Sequence, residues 1–330
     1  MRRTVGIILV VVLAAMGGRE PSEAVSVSPG HAGDALIFAL WDVNNLTTLV
    51  AIESFTSATT LHLVRFRDEA GSTVLQFTLC LPQRSSWTAA IFRDGPLTRV
   101  VSGSTLLVNG SSTPLDTPLA GNSMRGYIEV IGLRSDSTTA VCTDPSLGGD
   151  VPSSAVTGRA YYVNPLQSPI LAYGANALAL ANFATSKLTD GTVLGNNDVA
   201  LALIAQGALG ATTIASRYFV DPAFGAVTQV VVTFPTGPAS GGCPSCRVPS
   251  NLTFLPFTEP GSALTPFNRS TSGKLVNVLT ATSGDIASPS GILAATNASG
   301  PMSLPVTGFV VQTNTLLSPI FNVLFPLSIE

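Results

Sequence analysis

The chain has 330 residues, of which 45% are hydrophobic and only 11% are charged, and its formal net charge is −3. A typical soluble domain has about 25% charged residues. Binding of nucleic acid needs a basic surface, and disorder needs few apolar residues with a high net charge, so the composition argues against both classes of protein. Two His and four Cys leave little material for a metal site, and we predict no cofactor.

The N-terminal segment has the pattern of a secretory signal peptide. Arg2 and Arg3 are basic, and an apolar run follows from Val5 to Ala15. This run is shorter than the roughly 20 apolar residues that a membrane-spanning helix needs. We therefore predict a signal peptide over residues 1–24, cut after Ala24, with a cut after Gly17 and an uncut membrane anchor as the alternatives. The mature chain then has no membrane span and is extracellular, at the cell surface or in the periplasm.

Short stretches of alternating apolar and polar residues dominate the rest of the chain. Ala35–Trp41 and Leu49–Phe55 are the first predicted strands. The clearest hairpin pairs Leu61–Arg67 with Thr73–Leu79 around a turn at 68–71. Further predicted strands lie at 87–92, 99–101, 127–133, 159–163, 175–183, 214–220, 227–234, 252–257, 274–280, 292–295, 306–312 and 320–327.

Many short strands separated by Gly, Pro and Ser turns are typical of a β-sandwich. One sandwich domain has about 100 residues, so the length predicts two units. We predict an all-β fold of two immunoglobulin-like or related antiparallel β-sandwich units at 25–145 and 158–330, joined by a linker or long loop at 146–157. One short helix is predicted near 198–206, with Asn197 or Asp198 as its N-cap.

Several short motifs resemble those of a known group of proteins. They are Tyr218–Asp221 with Val227–Thr236, Gly126–Val130, Phe77–Ala89 and Leu304–Phe309. Together they resemble a group of secreted, functionally uncharacterised proteobacterial all-β proteins of similar length. The group usually has Thr-Asp-Trp-Val where this chain has Gln229 and Val230 after Thr228. The resemblance implies export and an all-β architecture, and it implies no activity.

The four cysteines suggest disulfides. Cys80 ends one predicted strand and Cys142 follows another, so their pairing is plausible in an oxidising compartment. Cys243 and Cys246 form a Cys-x-x-Cys element among Gly, Pro and Ser residues, with no helical pattern after it. This setting favours a local structural disulfide over redox chemistry or a different pairing.

No catalytic motif stands out, and we predict that the protein is not an enzyme. His62 alternates on a predicted strand with Arg65 and Arg67 nearby, which is typical of a solvated sheet face rather than of a catalytic base. Neither a Gly-x-Ser-x-Gly elbow, a Walker-type loop nor a His-Glu-x-x-His helix occurs in the sequence.

Carboxylates could still supply chemistry. A glycosidase needs two facing acids, and Glu53, Glu129 and Asp221 are candidates. Loop acids could bind Ca²⁺, but their spacing is not that of an EF-hand, so we interpret them as solvated acids and predict no metal site. These loop acids are Asp144, Asp150, Asp190 and Asp198.

Aromatic side chains are the other candidate binding residues. Trp41, Trp87, Tyr161 and Tyr162 could stack on sugars, although burial in a sandwich core is the commoner role of such residues. Exposed rows of Trp or Tyr on one sheet face would favour a carbohydrate-binding module, and buried Trp41 and Trp87 would argue against it.

The leading hypothesis is a secreted, non-catalytic structural protein of the cell surface or extracellular matrix that assembles with copies of itself. Few charges leave strand edges and apolar faces open to association. A carbohydrate-binding module or adhesin that binds surface glycans is the first alternative. A secreted hydrolase with a carboxylate pair is the second.

Overall fold

The computed structural model describes residues 26–27, 32–44, 46–136, 138–143, 156–163, 170–179, 214–235, 248–259, 261–297, 306–314, 323–326 and 328–329. In these ranges the protein is all-β, and the paired strands are antiparallel. The helical segments in these ranges are a 3₁₀ turn at Ala120–Asn122 and one α-helical turn at Ala140–Thr143. The prediction of an all-β fold is confirmed.

The first half of the described chain contains twelve strands in two sheets. The strands are β1 (Ser26–Val27), β2 (Ala35–Asp42), β3 (Thr47–Ser54), β4 (Thr59–Asp68), β5 (Thr73–Leu81), β6 (Ser86–Asp94), β7 (Leu97–Ser102), β8 (Leu115–Pro118), β9 (Arg125–Asp136), β10 (Val156–Val163), β11 (Ile170–Gly174) and β12 (Asn176–Ala179). Sheet A has the order β1-β12-β2-β9-β4-β5, and sheet B has the order β11-β10-β3-β6-β7-β8.

The second half contains nine strands in two further sheets. The strands are β13 (Ile214–Phe219), β14 (Ala226–Thr233), β15 (Asn251–Phe257), β16 (Phe267–Ser270), β17 (Val276–Ala281), β18 (Ser290–Asn297), β19 (Thr307–Asn314), β20 (Val323–Pro326) and β21 (Ser328–Ile329). Sheet C has the order β16-β15-β18-β13-β21, and sheet D has the order β17-β14-β19-β20.

Sheets A and B pack against each other. The ring of Phe77 in β5 lies 5.6 Å from that of Trp87 in β6, measured between centroids. The ring of Phe38 in β2 lies over Gly158 in β10, where an added Cβ would sit 2.4 Å from Cζ of Phe38. In the second half, β13 of sheet C contacts β14 and β19 of sheet D. Facing sheets of this kind are consistent with two β-sandwich units, and the finer immunoglobulin-like assignment stays a prediction.

The central strands β2 and β4 of sheet A are covered on both faces. All eight residues of β2 are buried, because β2 contacts β10 of sheet B and also β14 and β19 of sheet D. β3 of sheet B instead alternates between buried and more exposed residues. A strand that is buried on one face shows this period of two.

The predicted hairpin at 61–79 is confirmed by the pairing of β4 with β5. The division between the units differs from the prediction. β10 pairs with β3 and β12 pairs with β2, so the strands from 156 to 179 belong to sheets A and B, and the change to sheets C and D falls between 179 and 214. A Pro- and Gly-rich window marks a loop, but it does not show which sheet the next strand joins.

Several predictions fall outside the described residues. They are the signal peptide at 1–24, most of the linker at 146–157 and the helix near 198–206. Among the described residues, no helix is long and apolar enough to cross a membrane.

Candidate functional site

A β-bulge in β2 determines where Trp41 points. Phe38 pairs with Ile128 of β9, and Trp41 pairs with Gly126, so β2 has one extra residue between the two pairs. The bulge places Phe38 and Trp41 on the same, inner face of sheet A. Trp41 is 0% exposed, and its Nε1 donates to the carbonyl of Arg67 at 3.0 Å.

Gly126 leaves the space that Trp41 occupies. An added Cβ at Gly126 would lie 1.8 Å from the carbonyl oxygen of Arg67 and 2.6 Å from Nε1 of Trp41. Trp87 is also 0% exposed. The ligand-stacking role considered for Trp41 and Trp87 is therefore not available in this structure, because both rings lie in the core.

The bulged backbone is bound by side chains instead of by a neighbouring strand. The carbonyl of Leu40 accepts from the hydroxyl of Tyr162 at 2.7 Å and from that of Tyr173, and the amide of Leu40 donates to Tyr173 at 3.1 Å. The carbonyl of Ala39 accepts from Oγ1 of Thr233 in sheet D. A buried backbone group that lost its ladder partner would otherwise be costly.

The two tyrosines remain good donors. Burial is the main cause that raises the pKa of Tyr162 and of Tyr173 above the ordinary value of 10.0. Both hydroxyls therefore stay protonated at physiological pH and can donate to the Leu40 carbonyl.

A stack of three rings connects the two halves of the chain beside this bulge. Phe309 of β19 lies 4.5 Å from Tyr173 between ring centroids, and Tyr173 lies 5.6 Å from Tyr162. We call Leu40, Tyr162, Tyr173, Thr233 and Phe309 the joint. Tyr162, which the sequence suggested as a sugar-stacking residue, is a buried part of the joint.

A cavity of about 270 Å³ lies next to the joint, between the first half of the chain and the outer face of sheet D. We call it the cleft. Its apolar lining residues are Leu40, Leu46, Val231, Val278, Phe309 and Val311, and its polar lining residues are Asp42, Asn44, Arg125, Tyr162, Gln229 and Thr313. Pockets at the boundary between two folded units, mostly apolar with a few polar groups, are common ligand sites.

An ion pair lies in the wall of the cleft. Oδ2 of Asp42 accepts from Nε and Nη2 of Arg125 at 2.8 and 2.7 Å. Oδ1 of Asp42 accepts from the backbone amide of Asn44 at 2.7 Å. Both carboxylate oxygens are thus bound, and the pair has no net charge.

The outer face of sheet B carries a row of apolar side chains. Tyr161, Leu49, Ala90 and Val101 are directly opposite one another on β10, β3, β6 and β7. Leu49 is 38% exposed, and the other three are half-buried. We call this row the open face. Tyr161 is the one residue of the four candidate aromatics whose position leaves it on an outer surface.

The hairpin that contains His62 differs from its prediction. His62 is fully buried on the inner face of sheet A, where its Nε2 lies 2.8 Å from Oγ1 of Thr60. Burial lowers the pKa of His62 to about 3. The prediction of a solvated face is wrong for His62 because the inner face of sheet A packs against sheet B.

Arg65 and Arg67 lie on the opposite face of β4 and are also buried. Arg65 Nη1 lies 3.4 Å from Glu129 Oε2, and Arg67 Nε lies 3.2 Å from the same oxygen. Arg65 Nε also donates to Gln76. These contacts explain how two guanidinium groups are tolerated inside the protein, since buried charges need partners.

The disulfide prediction is confirmed for one pair. Cys80 and Cys142 are bonded, with a Cα–Cα distance of 5.6 Å. Closing the chain segment between these two cysteines stabilises the folded state by about 4 kcal/mol in the chain-entropy model of disulfides. Cys243 and Cys246 lie outside the described residues.

The three candidate carboxylates are not brought together. Glu53 lies on β3 of sheet B. Glu129 lies on β9 of sheet A, where it is bound to two arginines of β4. Asp221 lies in the turn before β14. The candidate Ca²⁺-binding residues Asp144, Asp150, Asp190 and Asp198 lie outside the described residues. In the part of the chain that is described, no group of three or more His, Cys, Asp or Glu side chains could hold a metal ion.

Sequence reasoning missed the residues that build the cleft and the joint, above all Arg125, Tyr173 and Phe309. One signal was usable: adjacent Tyr161 and Tyr162 must point to opposite faces of a strand, so only one of them could be exposed. No protein-family model matches the sequence, and a search of curated proteins finds no significant match.

Proposed function

We propose that the protein is exported and acts outside the cytoplasm as a non-catalytic structural protein whose copies associate through the open face. The observation that carries this proposal is the row of Tyr161, Leu49, Ala90 and Val101 on the outer side of sheet B. Four adjacent strands each contribute one side chain, and none of the four is charged.

A second copy of the chain is the occupant that this surface fits best. A sheet presents a broad, regular surface, and two such surfaces pack face to face at about 10 Å with their side chains interdigitated. The same patch on both copies is self-complementary about a two-fold axis. Apolar side chains on the open face would then be removed from water, which is favourable by roughly 25 cal/mol per Å².

Export is supported by two features. The N-terminal residues have the pattern of a cleavable signal, and the Cys80–Cys142 bond is compatible with an oxidising compartment. Mass spectrometry of the protein recovered outside the cytoplasm should find Val25 as its first residue. A full-length chain with free thiols in the cytoplasm would overturn this part of the proposal.

Association is tested with the mature chain by analytical ultracentrifugation over a range of concentrations. The wild-type protein should form a dimer or larger species, and Leu49→Lys should weaken association by about tenfold or more, because a desolvated charge replaces an apolar contact. Phe224→Lys is the matched control: Phe224 is 53% exposed in a turn of the second half of the chain, so its replacement should leave association unchanged.

Two results would overturn the association proposal. One is a wild-type protein that is strictly monomeric at the highest concentration reached. The other is a Leu49→Lys variant that associates as strongly as the wild type. In contrast, the glycan-binding alternative has lost the support of Trp41 and Trp87, since both are buried.

A further inference from the structure

We infer that the cleft binds a small, uncharged amphipathic molecule, with an apolar body and a hydroxyl or carbonyl head. This binding site is separate from the open face, and the inference does not depend on self-association.

The floor of the cleft suits the apolar body of such a ligand. Sheet D turns its outer face to the first half of the chain, and Val231 and Phe309 are paired on that face, with Val278 on the other side of Val231. The first half of the chain covers part of this face through the joint, and the remainder is the floor of the cleft. Leu40 and Leu46 add apolar surface to its walls.

The charges of the cleft exclude a charged head. Arg125 is paired with Asp42 through two short contacts, and the second oxygen of Asp42 is bound by the Asn44 amide. An anion would meet the Asp42 carboxylate, and a cation would meet the Arg125 guanidinium. Neither ion would find a counter-charge that is not already used, and a buried ion without a partner is costly.

Two polar groups in the cleft are available to a neutral head. The contacts of Arg125 use Nε and Nη2, so Nη1 has no partner among the described residues. The side-chain amide of Gln229 likewise has no hydrogen-bond partner within the described ranges, and it is only half-exposed. One guanidinium donor and one amide, which both donates and accepts, can bind a hydroxyl or a carbonyl.

Three six-carbon probes with different heads test the inference on the mature, disulfide-bonded chain. They are hexan-1-ol, hexanoate and hexylammonium, and binding is followed by methyl and side-chain N–H chemical shifts in NMR titrations. Hexan-1-ol should shift the methyl signals of Val231, Val278 and Val311 and the N–H signals of Arg125. The two ions should bind at least about fivefold more weakly.

Two variants of the cleft make the test specific. Val278→Phe fills the cleft from its half-exposed rim and should weaken hexan-1-ol binding by about tenfold. Ile292→Phe is the matched control, because Ile292 is 47% exposed on sheet C, and it should bind as the wild type does. Gln229→Glu adds a negative charge, and it should make hexylammonium the preferred probe.

The inference is overturned by any of three results. These are shifts that lie outside the cleft, a Val278→Phe variant that binds hexan-1-ol as tightly as the control does, and a wild-type protein that prefers either ion. A monomeric protein would overturn the proposed association but would leave these outcomes unaffected.

Discussion

Sheets A and B each have six antiparallel strands and they share one core, but their outer faces differ. On sheet B the outer side chains of β3 are exposed or half-exposed, whereas β2 and nearly all of β4 in sheet A are buried throughout. Sheet D contacts β2 on its outer face, and Lys274 and Leu275, just before β17, contact Glu69 in the turn after β4. The central strands of sheet A thus form an internal layer, and sheet B is a surface.

The difference shows that one strand pattern can serve two environments. Charged side chains on an outer face are normally solvated, but Arg65, Arg67 and Glu129 are on a covered face, where the two arginines share the carboxylate of Glu129. Apolar side chains on an outer face are normally covered, but Leu49 and its neighbours are on an open one. Polarity along a strand therefore does not by itself identify the solvated face.

The largest expected effect comes from removing the carboxylate of the covered face. Glu129→Gln leaves two buried guanidinium groups without their common anion, and it should lower the free energy of unfolding by about 3–5 kcal/mol. Chemical denaturation measures this loss. Glu53→Gln on the outer side of sheet B is the matched control and should change stability by no more than about 0.5 kcal/mol. Equal effects of the two variants would contradict the assignment of sheet A as an internal layer.

A second pair of variants compares apolar side chains on the two outer faces. Ile37→Ala empties a fully buried position of β2 and should cost about 2–5 kcal/mol. Leu49→Ala removes the same number of carbon atoms from the open face and should cost less than about 1 kcal/mol in the monomer. Denaturation at low protein concentration avoids any contribution from association. A cost at Leu49 that matches the cost at Ile37 would show that the open face is covered in the monomer.

The free energy of unfolding should depend on pH because His62 is buried on the inner face of sheet A. The pKa of His62 is about 3 in the folded state, against 6.5 for an ordinary histidine. Below pH 6.5 the unfolded chain takes up a proton at His62 that the folded chain does not. The contribution of neutral His62 to the free energy of unfolding is therefore fully present above that pH and is lost as the pH falls. It should fall by about 1 kcal/mol for each pH unit between pH 6 and pH 4.

His62→Gln isolates this contribution. Carboxylates titrate in both proteins, so the difference in the free energy of unfolding between variant and wild type should change with pH only through His62. Denaturation at pH 7, 6, 5 and 4 gives that difference. Parallel curves over this range would mean that His62 takes up its proton in the folded state too.

The strands and their hairpin could be predicted because the signal is local. Alternation over Leu61–Arg67 and Thr73–Leu79 predicts β4 and β5 within two residues at each end. The pairing of Cys80 with Cys142 was also accessible, since few thiols were available and both were placed near strand ends. These inferences need no knowledge of what covers each strand.

The candidate site could not be predicted, because it depends on contacts between distant parts of the chain. Burial of His62 requires sheet B, and burial of Arg65 requires Glu129 on another strand. The direction of Trp41 depends on one extra residue relative to β9. Nothing in the residues around Tyr162 shows that Phe309 will lie beside it.

The bulge in β2 has a consequence for how this protein tolerates change over evolution. Ala39 and Leu40 are held through their backbone groups, by Thr233, Tyr162 and Tyr173. Backbone groups are the same in every residue type except proline, so these hydrogen bonds constrain the number of residues in β2 more than their identity. Deleting one residue between Phe38 and Trp41 would make the pairing with β9 regular and would keep the indole on the inner face, but it would remove the bulged backbone that anchors the second half of the chain. Insertions and deletions in this strand should therefore be rarer among natural variants than substitutions at Leu40.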